Sequence, residues 1–152
     1  MIDEKTVKLL EEQKEKKYTY ENIDKLELVK ILLDDIGNPD SYLRDDLIYP
    51  NLAHLLHDKH FNEDELTIFL DILKDENHLF HDLKNKESNS VLTRSFSILQ
   101  LVILVFVHKR DNIISKEKIK ELLHLFLNYF EKETTYEGYK KEVGFLHSIA
   151  HS

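Results

Sequence analysis

Two arginines, an aspartate, a serine and a pair of histidines are the residues of this chain whose types and spacing could carry chemistry. Arg94 falls on the same face of an expected helix as Val91, Ile98 and Leu101. Its guanidinium must therefore snorkel past the helix start or meet a carboxylate inside. Asp45 is the expected partner, because guanidinium and carboxylate pair bidentately and a buried unpaired arginine is costly. A guanidinium left available would clamp an anion or a carboxylate. Arg44 stands beside Asp45; neighbours on a helix point about 100° apart, so the two are not expected to face one pocket centre. Ser95 follows Arg94, but no G-x-S-x-G elbow surrounds it, which argues against a serine nucleophile.

His147 and His151 lie four residues apart. On a helix their rings would stack one turn apart and could share a metal or an anion. Gly144, one turn earlier on that face, would admit a close neighbour. The intervening Ser148, Ile149 and Ala150 supply no glutamate of the H-E-x-x-H kind, and no third ligand is identifiable. Packing histidines are the expectation, with no metal and no cofactor. His54, His57 and His60 near one helix C-terminus suit its dipole, and His78 and His81 repeat the spacing. Three glycines leave no phosphate-cradling loop.

The elements that must position these residues are helical. The 152 residues contain only 3 Gly and 2 Pro, against 41% hydrophobic and 33% charged residues, which disfavours disorder and turn-dense β-sandwiches. That length fits one domain with a core of its own. The absence of cysteine excludes disulfides, thiol nucleophiles and Cys-ligated metal, and the reducing cytosol is the expected compartment. A net charge of -8 repels phosphate backbones and anionic lipid, so neither nucleic acid nor membrane is an expected partner. Met1-Ile2-Asp3-Glu4 is acidic where a signal peptide would be basic. The apolar run Ile98 to Val107 is half the length a bilayer requires and predicts a buried core helix.

Period-3.6 patterning predicts a charged first helix within residues 1–17, then one from Asn22 with Leu26, Val29, Leu33 and Ile36 on a stripe, ended by Gly37 and Pro39. Asp40 or Ser41 caps the next, which Pro50 should kink or break near Tyr49. Asn62 and Glu65 have capping-box spacing. A turn-rich piece leads to Asn89 or Ser90 as cap of the apolar helix ending near Lys109, and Ser115 caps its successor. Beyond Gly138 a last helix is expected to carry Tyr139, Val143, Leu146 and Ala150. The expected fold is all-α, six to eight helices in a single domain over 1–152. Pairing the helices gives hairpins of roughly 37 to 47 residues, near the period of HEAT and armadillo arrays, and an irregular bundle is the alternative. The final pattern is still amphipathic at His151-Ser152, so further C-terminal helices are expected in the full domain.

Three segments bear a resemblance. Gly37-Asn38-Pro39-Asp40-Ser41-Tyr42-Leu43-Arg44-Asp45-Asp46-Leu47-Ile48-Tyr49 resembles a G-x-P-D-x-x-L-R-D-x-L-x-Y signature. Arg94-Ser95-Phe96-Ser97 resembles an R-S-F-S segment, and Gly144-Phe145-Leu146-His147-Ser148-Ile149-Ala150-His151 a G-W-x-H-x-x-A-H segment, with Phe145 where tryptophan is usual. In this order they resemble an uncharacterised bacterial family of unknown function. The resemblance implies a HEAT-like helical fold, continuing past the final histidine, and no established activity.

The expected function is a cytoplasmic helical binding module. Its concave polar face would gather Arg44, Asp45, Arg94, Ser95, His147 and His151 around a peptide, a protein or a small anion. The alternative is a metal-assisted, hydrolase-like enzyme built on His147 and His151. A third reading is an oligomer-forming chain, in the simplest case a homodimer.

Overall fold

The computed structural model describes residues 1–84 and 89–134 in full, and the backbone of 139–140 and 144–145. Its helices begin where polar side chains satisfy the first free backbone N–H groups. Asp3 Oδ1 accepts from Thr6 N at 2.8 Å to start α1 (Glu4–Glu15), and Asp24 Oδ1 from Glu27 N at 3.0 Å to start α2 (Lys25–Asp34). Asp40 accepts from the backbone N–H groups of Tyr42 and Leu43, so it caps the following helix. That helix is π-helical over Tyr42–Ile48 and becomes α3 (Tyr49–His57), with Pro50 in the first turn. The expected disturbance near Tyr49 is thus a change of helix type, placing proline where a missing N–H costs least.

Asn62 and Glu65 form a reciprocal capping box that opens α4 (Glu63–Leu73). The apolar helix α5 (Ser90–Asp111) follows Asn89, whose side chain makes no capping bond, and ends on Asn112 in the left-handed conformation. Ser115 caps α6 (Lys116–Lys132). The body of the described chain is therefore all-α, with six α-helices and one π-helical stretch.

Helix α5 is the hub, packed against α3 and α4, while α2 bridges those two and α1 covers the π-helical segment and α3. Leu101 and Leu104 on α5 are fully buried in one cluster with Leu32, Leu47, Leu55, Phe69 and Leu70. Among the described residues α5 alone is long and apolar enough to cross a bilayer, yet 67% of its apolar window is buried inside the protein, as in a core helix. Buried polar groups also join the first helices. Gln13 Oε1 accepts from Tyr20 N, and Tyr20 Oη donates to Asn51 Oδ1 at 2.9 Å.

The helix expected beyond Gly138 is not found at the described residues there. β1 (Tyr139–Lys140) and β2 (Gly144–Phe145) pair antiparallel, Tyr139 opposite Phe145. The apolar pattern is short at this point and Gly144 interrupts it, costing a helix about 1 kcal/mol.

Candidate functional site

The π-helical segment turns Arg44 inward, and its side chain is fully buried. Its Nε and Nη2 donate to Asp45 Oδ1 and Oδ2 at 2.9 and 3.0 Å, and Nη1 donates to the Asn38 carbonyl at 2.9 Å. The neighbours that were not expected to face one centre are therefore a bidentate pair, because the long arginine side chain folds back onto the next residue. Asp45 remains 46% exposed, so the pair has a buried cation and a surface anion. Phe96 of α5 lies beneath the guanidinium, its ring centre 5.1 Å from Arg44 Cζ. Cation and π-face attract, the more so away from water.

Gly37 explains how the loop gets so close to α5. A Cβ at this position would meet the Thr93 side chain and lie 2.7 Å from Thr93 N and 2.8 Å from Thr93 Cα. Only the missing side chain allows that approach. The segments around Gly37–Arg44 and Thr93–Ser97, far apart in sequence, thus form one contact.

Arg94 is also fully buried, and it meets Glu133, not Asp45. Nε donates to Glu133 Oε2 at 2.8 Å and Nη2 to Oε1 at 3.1 Å. Nη1 donates to the His81 carbonyl at 2.8 Å and to Ser90 Oγ at 3.0 Å. Tyr129 Oη donates to Glu133 Oε2 at 2.7 Å. Burial first, and then the adjoining Glu133 carboxylate, push the Tyr129 phenol well above its ordinary pKa. With a further bond from Nη1 to the Asp82 carbonyl at 3.4 Å, this one guanidinium ties the start of α5, the 81–82 loop and the end of α6 together. Ser95 is fully buried on α5.

Beside this latch lies a hollow of about 640 Å³, lined by Asp82, Lys132 and Thr134 next to the latch's partners. Phe80 and Leu83 give it an apolar floor, and Glu76, Asp82, Lys84 and Lys132 bring both signs of charge to its rim. Phe80 packs edge-on against Tyr129 with ring centres 6.4 Å apart, and Lys132 Nζ stands 5.8 Å from the Phe80 centroid.

Among the expected site residues, Arg44 and Asp45 come together, whereas Arg94 meets Glu133. A ligand touching Arg44, Arg94 or Ser95 directly must first open packed structure, since all three are fully buried. His147 and His151 lie outside the described residues. His54 and His57 both contact the Asp58 carboxylate, at 3.0 and 2.8 Å. Burial raises the Asp58 pKa, but these two contacts outweigh it and hold the group below its usual range. Among the described residues no cluster of three His, Asp or Glu side chains is disposed to hold a metal.

Sequence reasoning missed Glu133, Tyr129, Asn38 and Phe96 as partners of the two arginines. The four-residue spacing of Tyr129 and Glu133 was the available signal, since it places both on one helix face.

Residues 79–152 match the family described as "Protein of unknown function (DUF2785)". The match takes in Arg94, Ser95 and Glu133 and supports an uncharacterised helical domain, while the Arg44–Asp45 segment lies before it. No curated protein and no solved structure matches the chain.

Proposed function

We propose that this chain is a helical binding module whose hollow beside the Arg94–Glu133 latch receives an apolar side chain of a peptide or protein partner. The observation that carries it is an apolar floor of Phe80 and Leu83 ringed by charges of both signs. Such a composition favours an apolar anchor with polar groups around it, the usual anatomy of a recognition site. A small anion is less well served, since Glu76 and Asp82 share the rim with Lys84 and Lys132. In this reading Arg94 and Glu133 position the hollow, and Asp45 offers a second exposed contact. Ordering of the helices as a HEAT- or armadillo-like hairpin array belongs to the same proposal, supported by the packing of α5 against both α3 and α4. So does a cytoplasmic location.

The test is a selection of random peptides on the immobilised chain, followed by calorimetry of the selected sequences. Expected binders carry an aromatic or branched aliphatic anchor and lose about tenfold in affinity to Phe80→Ala, the size of a single well-buried contact. Helical content measured alongside keeps a folding defect apart from lost binding. Binders indifferent to Phe80→Ala and to Lys132→Glu would overturn the reading.

A further inference from the structure

Helix α6 has two apolar stripes, and the bundle uses one of them. Leu122 and Tyr129 are buried against the rest of the protein, whereas Leu123, Leu127 and Phe130 are 56%, 65% and 53% exposed. Single exposed apolar residues are ordinary, but three on one helix face form a patch that needs an occupant.

The stripe is longer than its apolar part. Lys116, Lys120, Leu123, Leu127 and Phe130 advance by alternating steps of four and three residues, the seam of a two-helix coiled coil. Its N-terminal end is basic, at Lys116 and Lys120, and Glu131 lies at its C-terminal end; all three are exposed. Neither Lys120 nor Glu131 has an ion-pair partner among the described residues. They are eleven residues apart, about 16 Å along the helix, so they cannot pair with each other within one chain.

This arrangement complements itself in one orientation only. Parallel pairing of two α6 helices would set Lys120 against Lys120 and Glu131 against Glu131. Antiparallel pairing sets Leu123 against Leu127 and brings Lys120 to Phe130 and Glu131 of the opposite helix, offering an ion pair and a cation–π contact at each end. A twofold axis makes each of these contacts twice.

We propose that the exposed face of α6 is a self-association surface whose occupant is α6 of a second copy of this chain, packed antiparallel about a twofold axis near Leu125. Leu123 and Leu127 form the dry centre of the interface. Lys120 of each copy reaches the partner's Glu131.

Sedimentation of the full chain over a wide concentration range tests this, together with four variants. The unmodified chain should show a concentration-dependent monomer–dimer equilibrium. Leu127→Glu should be monomeric throughout with unchanged helical circular dichroism. Lys120→Glu and Glu131→Lys should each weaken association about tenfold, because either one spoils two symmetric contacts. The double exchange Lys120→Glu with Glu131→Lys should restore it to within about twofold. Should Leu127→Glu fail to fold, the charge-exchange series decides by itself. A monomer at every concentration, a dimer unaffected by a folded Leu127→Glu, or a double exchange without recovery overturns the proposal.

Discussion

Arg94 and Glu133 face each other 39 residues apart in sequence, joined by two charge-assisted hydrogen bonds with both side chains fully buried. Such a pair stabilises only while both members are present, because either charge left alone in the interior keeps its full desolvation cost. Glu133→Ala should therefore cost about 3 to 5 kcal/mol in urea unfolding, whereas Arg94→Met with Glu133→Leu should lie within about 1 to 2 kcal/mol of the parent. A Glu133→Ala loss under about 1 kcal/mol would show that α6 is not tied to α5 through this contact.

Gly37 gives a steric prediction. Gly37→Ala pushes a methyl group into Thr93 and should cost about 1 to 3 kcal/mol or more by overpacking. Thr93→Ala added to it should recover little of that loss, since the backbone N and Cα of residue 93, at 2.7 and 2.8 Å, stay in place. Full recovery in the double variant would mean that the side chain alone set the contact.

Helix α5 should give opposite signs at two neighbouring core positions. Leu104→Ala removes a fully buried aliphatic side chain and should cost about 2 to 5 kcal/mol. Gln100 is equally buried, and neither its amide nitrogen nor its oxygen has a hydrogen-bond partner among the described residues. Gln100→Leu removes that penalty and should raise stability by about 1 to 3 kcal/mol in the same unfolding assay. Destabilisation by Gln100→Leu would refute an unpaired amide at this position.

Two buried phenols predict the alkaline limit of the fold. Burial pushes Tyr20 above its ordinary pKa, and burial followed by Glu133 does so for Tyr129. In the unfolded chain both ionise near pH 10. Their contribution is thus complete below about pH 10 and is lost as pH rises toward the folded-state values, with a slope of about 1.4 kcal/mol per pH unit for each tyrosine. Urea unfolding at rising pH should show this slope, and Tyr20→Phe should remove about half of it. Phenolate absorbance from all 7 tyrosines at pH 11, with helical dichroism intact, would contradict the prediction.

Much of the fold was legible in the chain because its cues are local. Asn62 and Ser115, read as caps from the sequence, each accept from a backbone N–H three residues on, a distance that short-range geometry sets. By contrast α2, expected from Asn22, starts at Lys25 on an Asp24 cap that was not foreseen. The nine apolar residues in the ten from Ile98 to Val107 require enclosure whatever surrounds them. At Tyr139–Lys140 and Gly144–Phe145 the expected helix is replaced by a short antiparallel pair. The pattern there was a weak guide because Gly144 lowers the helical preference and strand pairing depends on context more than helix propensity does.

The partners of the arginines were not legible. Both Asp45 and Glu133 are carboxylates within reach of an arginine in some fold, and side-chain type does not rank them. Sequence by itself determined that Arg94 sits on an apolar helix face and must find compensation, because burying an unpaired guanidinium is prohibitive. Only the tertiary structure decided that the end of α6, carrying Glu133, arrives there, while Gly37 lets the turn before the π-helical stretch close on α5, with Arg44 held by Asp45 and Asn38. Helix periodicity is a property of neighbouring residues; which carboxylate meets which cation is set by the packing of whole helices, whose energies are summed over many distant contacts.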